Sequence, residues 1–380
     1  MATTAKINNR MLTWARERSG TAVHDFAVKC GINEERLRLW EEGKQALTFH
    51  QAQMFADKAH VPFGYLFLRE PPVEELPLPD LRTLGNQGVN RPSAELLDLI
   101  KLTLHRQQWY REYLSKELAS PCEVVGRVRT ETAVPAIVND MRELLGVPAH
   151  PQRGSWEEYY RDLVQRIETL GILVMREASL GHHTRPLSVE EFRGFAISDE
   201  YAPTIFVNHA DAPGARLFTL IHELCHIWMG ISGVSDGSES SERESEVKCN
   251  AVAAEFLVPE SEFRPLWNDK DDWKGNLASL EAYFHVSQWV LVRRALTLGF
   301  INIYQYRQFI AEQKALWEAR KKKSDGGPSF HKTKNAQISK RFSKAVLSQA
   351  FNGQILLREA GQLLGINPAK LKKFADEVRL

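Results

Sequence analysis

The sequence predicts a mostly helical α+β protein of more than one domain, and three observations carry that prediction. The chain has 380 residues, which at roughly 150 per domain implies two to three domains. Apolar residues recur at helical spacing along most of it, with three short apolar runs of strand character between residues 172 and 207. A proline-rich run, Pro71 to Pro79, interrupts the chain. Proline fixes φ and lacks the N–H, so this run reads as a semi-rigid linker.

Composition narrows the function classes. Hydrophobic residues make up 43% and charged residues 26%, values of an ordinary globular chain that exclude a wholly disordered or collagen-like one. Lys plus Arg (49) nearly balances Asp plus Glu (48), so any nucleic-acid surface must be local. Cys30, Cys122, Cys225 and Cys249 form no CxxC pair, which points to a reducing compartment. The N-terminus lacks a signal-peptide core and no run is apolar enough to span a bilayer. The expectation is a cytoplasmic protein with no membrane partner.

Element by element, Ala22–Lys29 reads as a short amphipathic helix, Cys30-Gly31-Ile32 as a tight turn, and Glu34–Glu42 as a second helix capped by Asn33 and stopped by Gly43. Helix, glycine-containing turn, helix is the helix-turn-helix pattern. A long helix is expected over about 92–118 and another over Trp156–Thr169, ending at Gly171. Ile172–Met175, Phe192–Ile197 and Pro203–Val207 read as strands. Pro213 opens a helix that Gly230 closes, the usual asymmetry of the two residues. A polar loop over Ile231–Ser241 precedes a helix over Glu242–Leu257, stopped by Pro259. Arg320-Lys-Lys-Lys323 and Asp325-Gly-Gly-Pro328 read as a charged, flexible break before a small helical unit at about 336–380. No internal repeat is evident. The resulting division is 1–70, a linker at 71–91, a main domain at 92–320, and a basic linker with a helical tail at 321–380.

The strongest chemical signal is His222-Glu-Leu-Cys-His226. Residues four apart share a helix face, so His222 and His226 can grip one cation. Glu223 is then close enough to polarise a water on that metal and act as general base. Two imidazoles and a carboxylate are the ligand set of a catalytic Zn2+ with one open position, which lowers the pKa of bound water toward neutrality. The surrounding Phe218, Leu220, Ile221, Ile227 and Trp228 imply a buried helix, where an unpartnered imidazole pair would be costly.

For the third ligand the choice is Glu246, twenty residues after His226, far enough for a loop and a return helix. Asn250, one turn on, shares its face and can orient a ligating histidine. Glu255 is nine positions from Glu246, about 900° of helix rotation, which places it on the opposite side. Pro203–Val207 is the candidate edge strand for binding an extended peptide by β-augmentation. His182, His183, Arg185, Arg193 and Tyr201 are open candidates for stabilising an oxyanion.

Phe218–His226 followed by Glu246-Val-Lys-Cys-Asn-Ala-Val-Ala-Ala-Glu-Phe-Leu-Val-Pro259 resembles the ImmA/IrrE family of metallopeptidases. The N-terminal segment is similar to the Xre-type helix-turn-helix that often precedes that domain, through Leu39-Trp-Glu-Glu-Gly43 and Val61-Pro-Phe-Gly-Tyr-Leu-Phe67. Pro79-Asp-Leu-Arg-Thr83 matches the junction of such fusions. The resemblance implies a gluzincin-like fold, zinc held by His222, His226 and Glu246, and Glu223 as base. Family members cleave DNA-binding repressors, and similar fusions occur in toxin–antitoxin loci.

The sequence departs from a strong DNA reader. Glu34–Glu42 carries four acids, with only Arg36 and Arg38 to meet DNA, and the same module can instead dimerise or dock a protein. The tail over 354–380 resembles a second small helix-turn-helix, with Lys370, Lys372 and Lys373 able to meet nucleic acid. Cys225 and Cys249 read as small buried residues, and the tryptophans as core. The functional expectation is a zinc endopeptidase that cuts a repressor or an antitoxin-like partner. The rival is a DNA-binding regulator or antitoxin whose peptidase fold senses or binds a toxin.

Overall fold

The computed structural model describes residues 4–78, 92–181, 185–235, 243–268, 272–323 and 337–378, without side chains at 317, 318 and 320–323. The chain forms two compact units. The first comprises Met1–Pro77 with Val89–Lys101, and the second comprises Leu78–Gly88 with Leu102–Leu380. Pro79–Thr83, the fusion-junction residues, lie outside the described residues, as do His182 and His183.

In the first unit, α1 (Asn9–Arg18), α2 (Val23–Lys29), α3 (Glu34–Glu41) and α4 (Phe49–Ala59) enclose a core of Met11, Leu12, Phe26, Leu37, Trp40 and Phe55. The Asn33 side chain accepts from Arg36 N–H as the N-cap of α3, and a Thr48–Gln51 capping box starts α4. Arg16 pairs with Glu41 at 2.7 Å. Arg18 holds both Glu74 and Asp98 at 2.6 Å, so the start of the proline-rich run is strapped to this unit.

A long helix, α5 (Ala94–Lys116), contributes its residues beyond Lys101 to the second unit. There, α6 (Val134–Leu145) and α7 (Trp156–Thr169) precede β1 (Leu173–Met175), β2 (Gly194–Ile197) and β3 (Thr204–Val207). The helix α8 (Pro213–Met229) follows, then β4 (Gly233–Ser235) and α9 (Glu244–Leu257). Strand order is β1-β3-β2-β4, with β1 parallel to β3 and the other pairs antiparallel. The expected edge role of Pro203–Val207 is therefore wrong, because β3 is hydrogen-bonded on both sides. The edge strand beyond β2 is β4, at the start of the stretch that reads as a polar loop.

Every residue of α8 from Thr219 to Met229 is buried, as expected of a helix covered on all sides. The sheet packs on one side through β2 and β3, and α9 packs on another. Its last carbonyls, which lack intrahelical partners, accept from Gly126 N–H (Ile227, 3.1 Å) and Val128 N–H (Trp228, 3.0 Å). Beyond α9 come α10 (Glu260–Leu266), α11 (Asn276–Phe284), α12 (Gln288–Thr297) and α13 (Ile303–Lys323). Arg320–Lys323, expected to open a flexible break, complete α13. The second unit closes with α14 (Lys340–Phe351), α15 (Leu357–Leu364) and α16 (Leu371–Val378). Among the described residues, no helix is long and apolar enough to cross a membrane.

Candidate metal centre

The i, i+4 spacing on α8 does bring the two histidines together: His222 Nε2 and His226 Nε2 are 3.2 Å apart. From α9, Glu246 reaches them with one carboxylate oxygen 2.9 Å from His226 Nε2 and the other 3.2 Å from His222 Nε2. All three side chains are buried. Asn250, one turn past Glu246, places Oδ1 3.1 Å from His222 Nδ1. That contact requires His222 to donate from Nδ1, which leaves a bare lone pair on Nε2 facing the cluster.

A lone pair cannot hydrogen-bond a carboxylate oxygen, so the geometry suits donors aimed at a shared cation. Ligands about 2.1 Å from a tetrahedral ion stand about 3.4 Å from one another, close to the 2.9–3.2 Å separations here. Cys249 offers a further donor, its sulfur lying within 4.8 Å of the ligating atoms of the two histidines. Glu246 sets one carboxylate oxygen against each histidine. Burial raises the Glu246 carboxyl, but its contacts with the two imidazoles outweigh this and hold it at about 2. Burial lowers the His226 imidazole below its ordinary range, with Glu246 opposing. Both changes favour the deprotonated forms that bind metal.

Glu223 differs. It is fully buried, and neither carboxylate oxygen has a hydrogen-bond partner among the described residues. Burial first, then the Glu246 carboxylate, pushes its carboxyl well above the usual range, with the Ser235 hydroxyl opposing. A buried carboxyl poised to hold a proton is what general acid–base work requires. Two residues that sequence reasoning missed form its surroundings. Gly194 on β2 is so close that a Cβ there would lie 2.7 Å from Glu223 Oε1. Ser235 on β4, paired with Gly194 in the sheet, lies 3.5 Å from Glu246 Oε1. A lone strand glycine marks a close approach, and that was the available signal.

A small cleft of about 30 Å³ opens over His222 and Glu223, lined by Phe218, Trp289, Arg193, Arg293 and Tyr306 among others. Of the oxyanion candidates, Arg193 lines it while pairing with Asp211 at 3.4 Å. Tyr201 lines a different hollow and sits under Arg111. Arg185 is not among the lining residues of the cleft. Arg293 and Tyr306 were not anticipated, since neither belongs to a recognisable motif. Glu255 turns away from the cluster as expected and pairs with buried Arg294. Cys225 and Cys249 are both fully buried.

Residues 167–296 match the IrrE N-terminal-like domain family, Peptidase_M78. This supports an ImmA/IrrE-type, peptidase-related function for the stretch that holds every residue of the cluster. The IrrE-like domain thus spans β1 to α12. Residues 338–377 match a domain of unknown function, DUF8813. No curated protein matches the chain.

The two residues expected to meet DNA in the first unit are exposed and make contacts within that unit. Arg36 lies over the Trp40 ring at 5.4 Å, and Arg38 is 3.7 Å from Glu34 one turn back. Glu34 also contacts His24 at 2.7 Å.

Proposed function

We propose that the chain is a zinc-dependent endopeptidase that cuts a regulatory protein, a repressor or an antitoxin-like partner, and that carries its own DNA-binding helix-turn-helix. The observation behind this reading is the convergence of His222, His226 and Glu246 beside a buried, unpartnered Glu223 at the floor of an open cleft. Held by those three residues, Zn2+ would supply Lewis acidity to activate water and polarise a carbonyl. Glu223 takes the proton of the attacking water and returns it to the leaving amine, a double use suited to its raised pKa. Asn250 fixes the His222 ring. By strand order β4, rather than β3, is the edge that would align an extended substrate. Arg193, Arg293 and Tyr306 line the same cleft as Glu223 and are the candidates to stabilise an oxyanion. A regulatory substrate fits the association of this domain with a helix-turn-helix unit.

The test is N-terminal labelling of whole-cell protein from cells expressing the wild type or Glu223→Gln. New N-termini confined to one or a few proteins, present only with wild type, are expected. Equal N-termini in both strains, with zinc bound in both proteins, would overturn the peptidase reading.

A further inference from the structure

The turn between α2 and α3 recurs near the end of the chain. Gly31-Ile32-Asn33 corresponds to Gly365-Ile366-Asn367, and both glycines adopt left-handed φ, +66° and +62°. Two backbone bonds of the turn correspond. Ile32 N–H donates to Ala27 and Ile366 N–H to Gly361, at 3.0 and 2.9 Å. Gly31 N–H donates to Val28 and Gly365 N–H to Gln362, at 3.0 and 3.3 Å. Buried positions follow the same register: Phe26 and Ala27 match Ala360 and Gly361, and Leu37 and Trp40 match Leu371 and Phe374. Gly361 is obligatory in the second copy, because a Cβ would lie 2.7 Å from Ile366 O. The two turns thus share a backbone conformation, in line with the second small helix-turn-helix that the tail sequence resembles.

The shape alone does not make a binding surface. The pair α11 and α12 is also helix, turn, helix, but Val290, Leu291, Val292, Arg294 and Ala295 of its second helix are buried. In the first unit, the second helix is exposed but acidic, with Glu34, Glu35, Glu41 and Glu42 around Arg36 and Arg38. Of these three pairs, only the C-terminal one combines exposure with positive charge. Pro368 and Ala369 replace Glu34 and Glu35, and Lys370, Lys372 and Lys373 are all exposed. Lys370 and Lys373, three apart, share one outward face of the helical turn that runs into α16. Lys344 on α14 adds an exposed cation to the same three-helix unit, while Asp376 and Glu377 follow one turn after Lys372 and Lys373 on α16.

We propose that residues 357–378 form a second helix-turn-helix, and that Lys370, Lys372 and Lys373 on it bind duplex DNA. Phosphate contacts by lysine supply the affinity and its salt dependence, and a helix presented by this turn is the element that enters a major groove. The proposal rests on residues distinct from the metal cluster and stands whether or not the chain cleaves peptides.

The test uses the full-length protein and a fluorescein-labelled duplex of mixed sequence, about 30 base pairs long, followed by anisotropy between about 50 and 200 mM salt. Changing Lys370, Lys372 and Lys373 together to Ala is expected to weaken binding at least about tenfold. It should also reduce the slope of log K against log salt by about 2 to 3, roughly one for each lysine removed. Because all three lysines are exposed, the thermal melt should not change. Arg36→Ala with Arg38→Ala should change affinity less than about threefold. No binding by wild type at the lowest salt, or a triple variant within about twofold of wild type, would overturn the proposal. So would loss of binding to poly-glutamate in the triple variant with no binding of duplex by either protein, which would assign the face to an acidic protein partner.

Discussion

A methyl group added at Gly194 has no space to occupy. Its carbon would lie 2.7 Å from Glu223 Oε1, 2.9 Å from Glu223 Cγ and 2.9 Å from Phe206 O, where ordinary contacts exceed about 3.4 Å. The Phe206 carbonyl belongs to a strand paired on both sides, so it cannot retreat without breaking the ladder. The Glu223 side chain must move instead, by at least about half an ångström, and its buried surroundings leave little choice of direction. A displacement of about 1 Å in a catalytic group costs on the order of a hundredfold. Overpacking at such a site costs about 1–3 kcal/mol of stability. Gly194→Ala should therefore keep about one zinc per chain, because none of the ligands is touched, yet cleave its substrate about a hundredfold more slowly. The assay is zinc by elemental analysis beside single-turnover cleavage of the protein found by N-terminal labelling. A Gly194→Ala enzyme with wild-type turnover would refute the placement of Glu223 as base. Loss of zinc in the same variant would show that β2 supports the ligands rather than the base.

Zinc content should separate the carboxylates: His222→Ala and Glu246→Ala lose the metal, and Glu255→Ala keeps it. Glu255→Ala should nonetheless unfold more easily, by about 3 kcal/mol, since it strands buried Arg294; an unchanged denaturant midpoint would contradict this. Asn250→Ala frees the His222 ring and should weaken zinc about 10- to 100-fold in competition with a chelator, while activity returns at saturating zinc. His209 provides a pH prediction away from the metal. Burial, then Arg216 and Arg176, lowers its imidazole to about 2, and Tyr160 OH lies 3.0 Å from its Nε2. The folded state therefore holds His209 neutral, and the unfolded state takes up a proton below its ordinary pKa of about 6.5. Stability from this group is complete above that pH and falls as the pH drops toward the folded value. About 1 kcal/mol should be lost between about pH 7 and 5.5, and His209→Gln should show a flatter profile by denaturant melts.

The local features were legible because their causes are local. Asn33 caps, Gly230 ends a helix and Pro213 begins one for reasons contained in a few residues, so those boundaries appear in the sequence. The His222, Glu223, His226 spacing also declares itself, because helix periodicity alone puts the histidines on one face. Glu246 and Asn250 needed one more step, a return helix, and the choice over Glu255 followed from helix rotation.

Strand order was not legible. β4 is three residues long, Gly233–Ser235, too short to carry a period-two pattern, and its partner is chosen by the sheet rather than by its own residues. That choice made β4 rather than β3 an edge of the sheet and brought Ser235 and Gly194 against the acidic cluster. Arg293 and Tyr306 reach the cleft from helices whose spacing says only that they are helices. The tail was legible as a second helix-turn-helix, but its register against the first was not, because so few positions repeat in identity and the rest match only in burial and in the bonds of the turn. Sequence by itself determined the helices and the donor atoms. Tertiary structure decided which strand lies at the sheet edge, which glycine confines the base, and which side chains line the cleft, because each depends on what packs against a residue from a distant part of the chain.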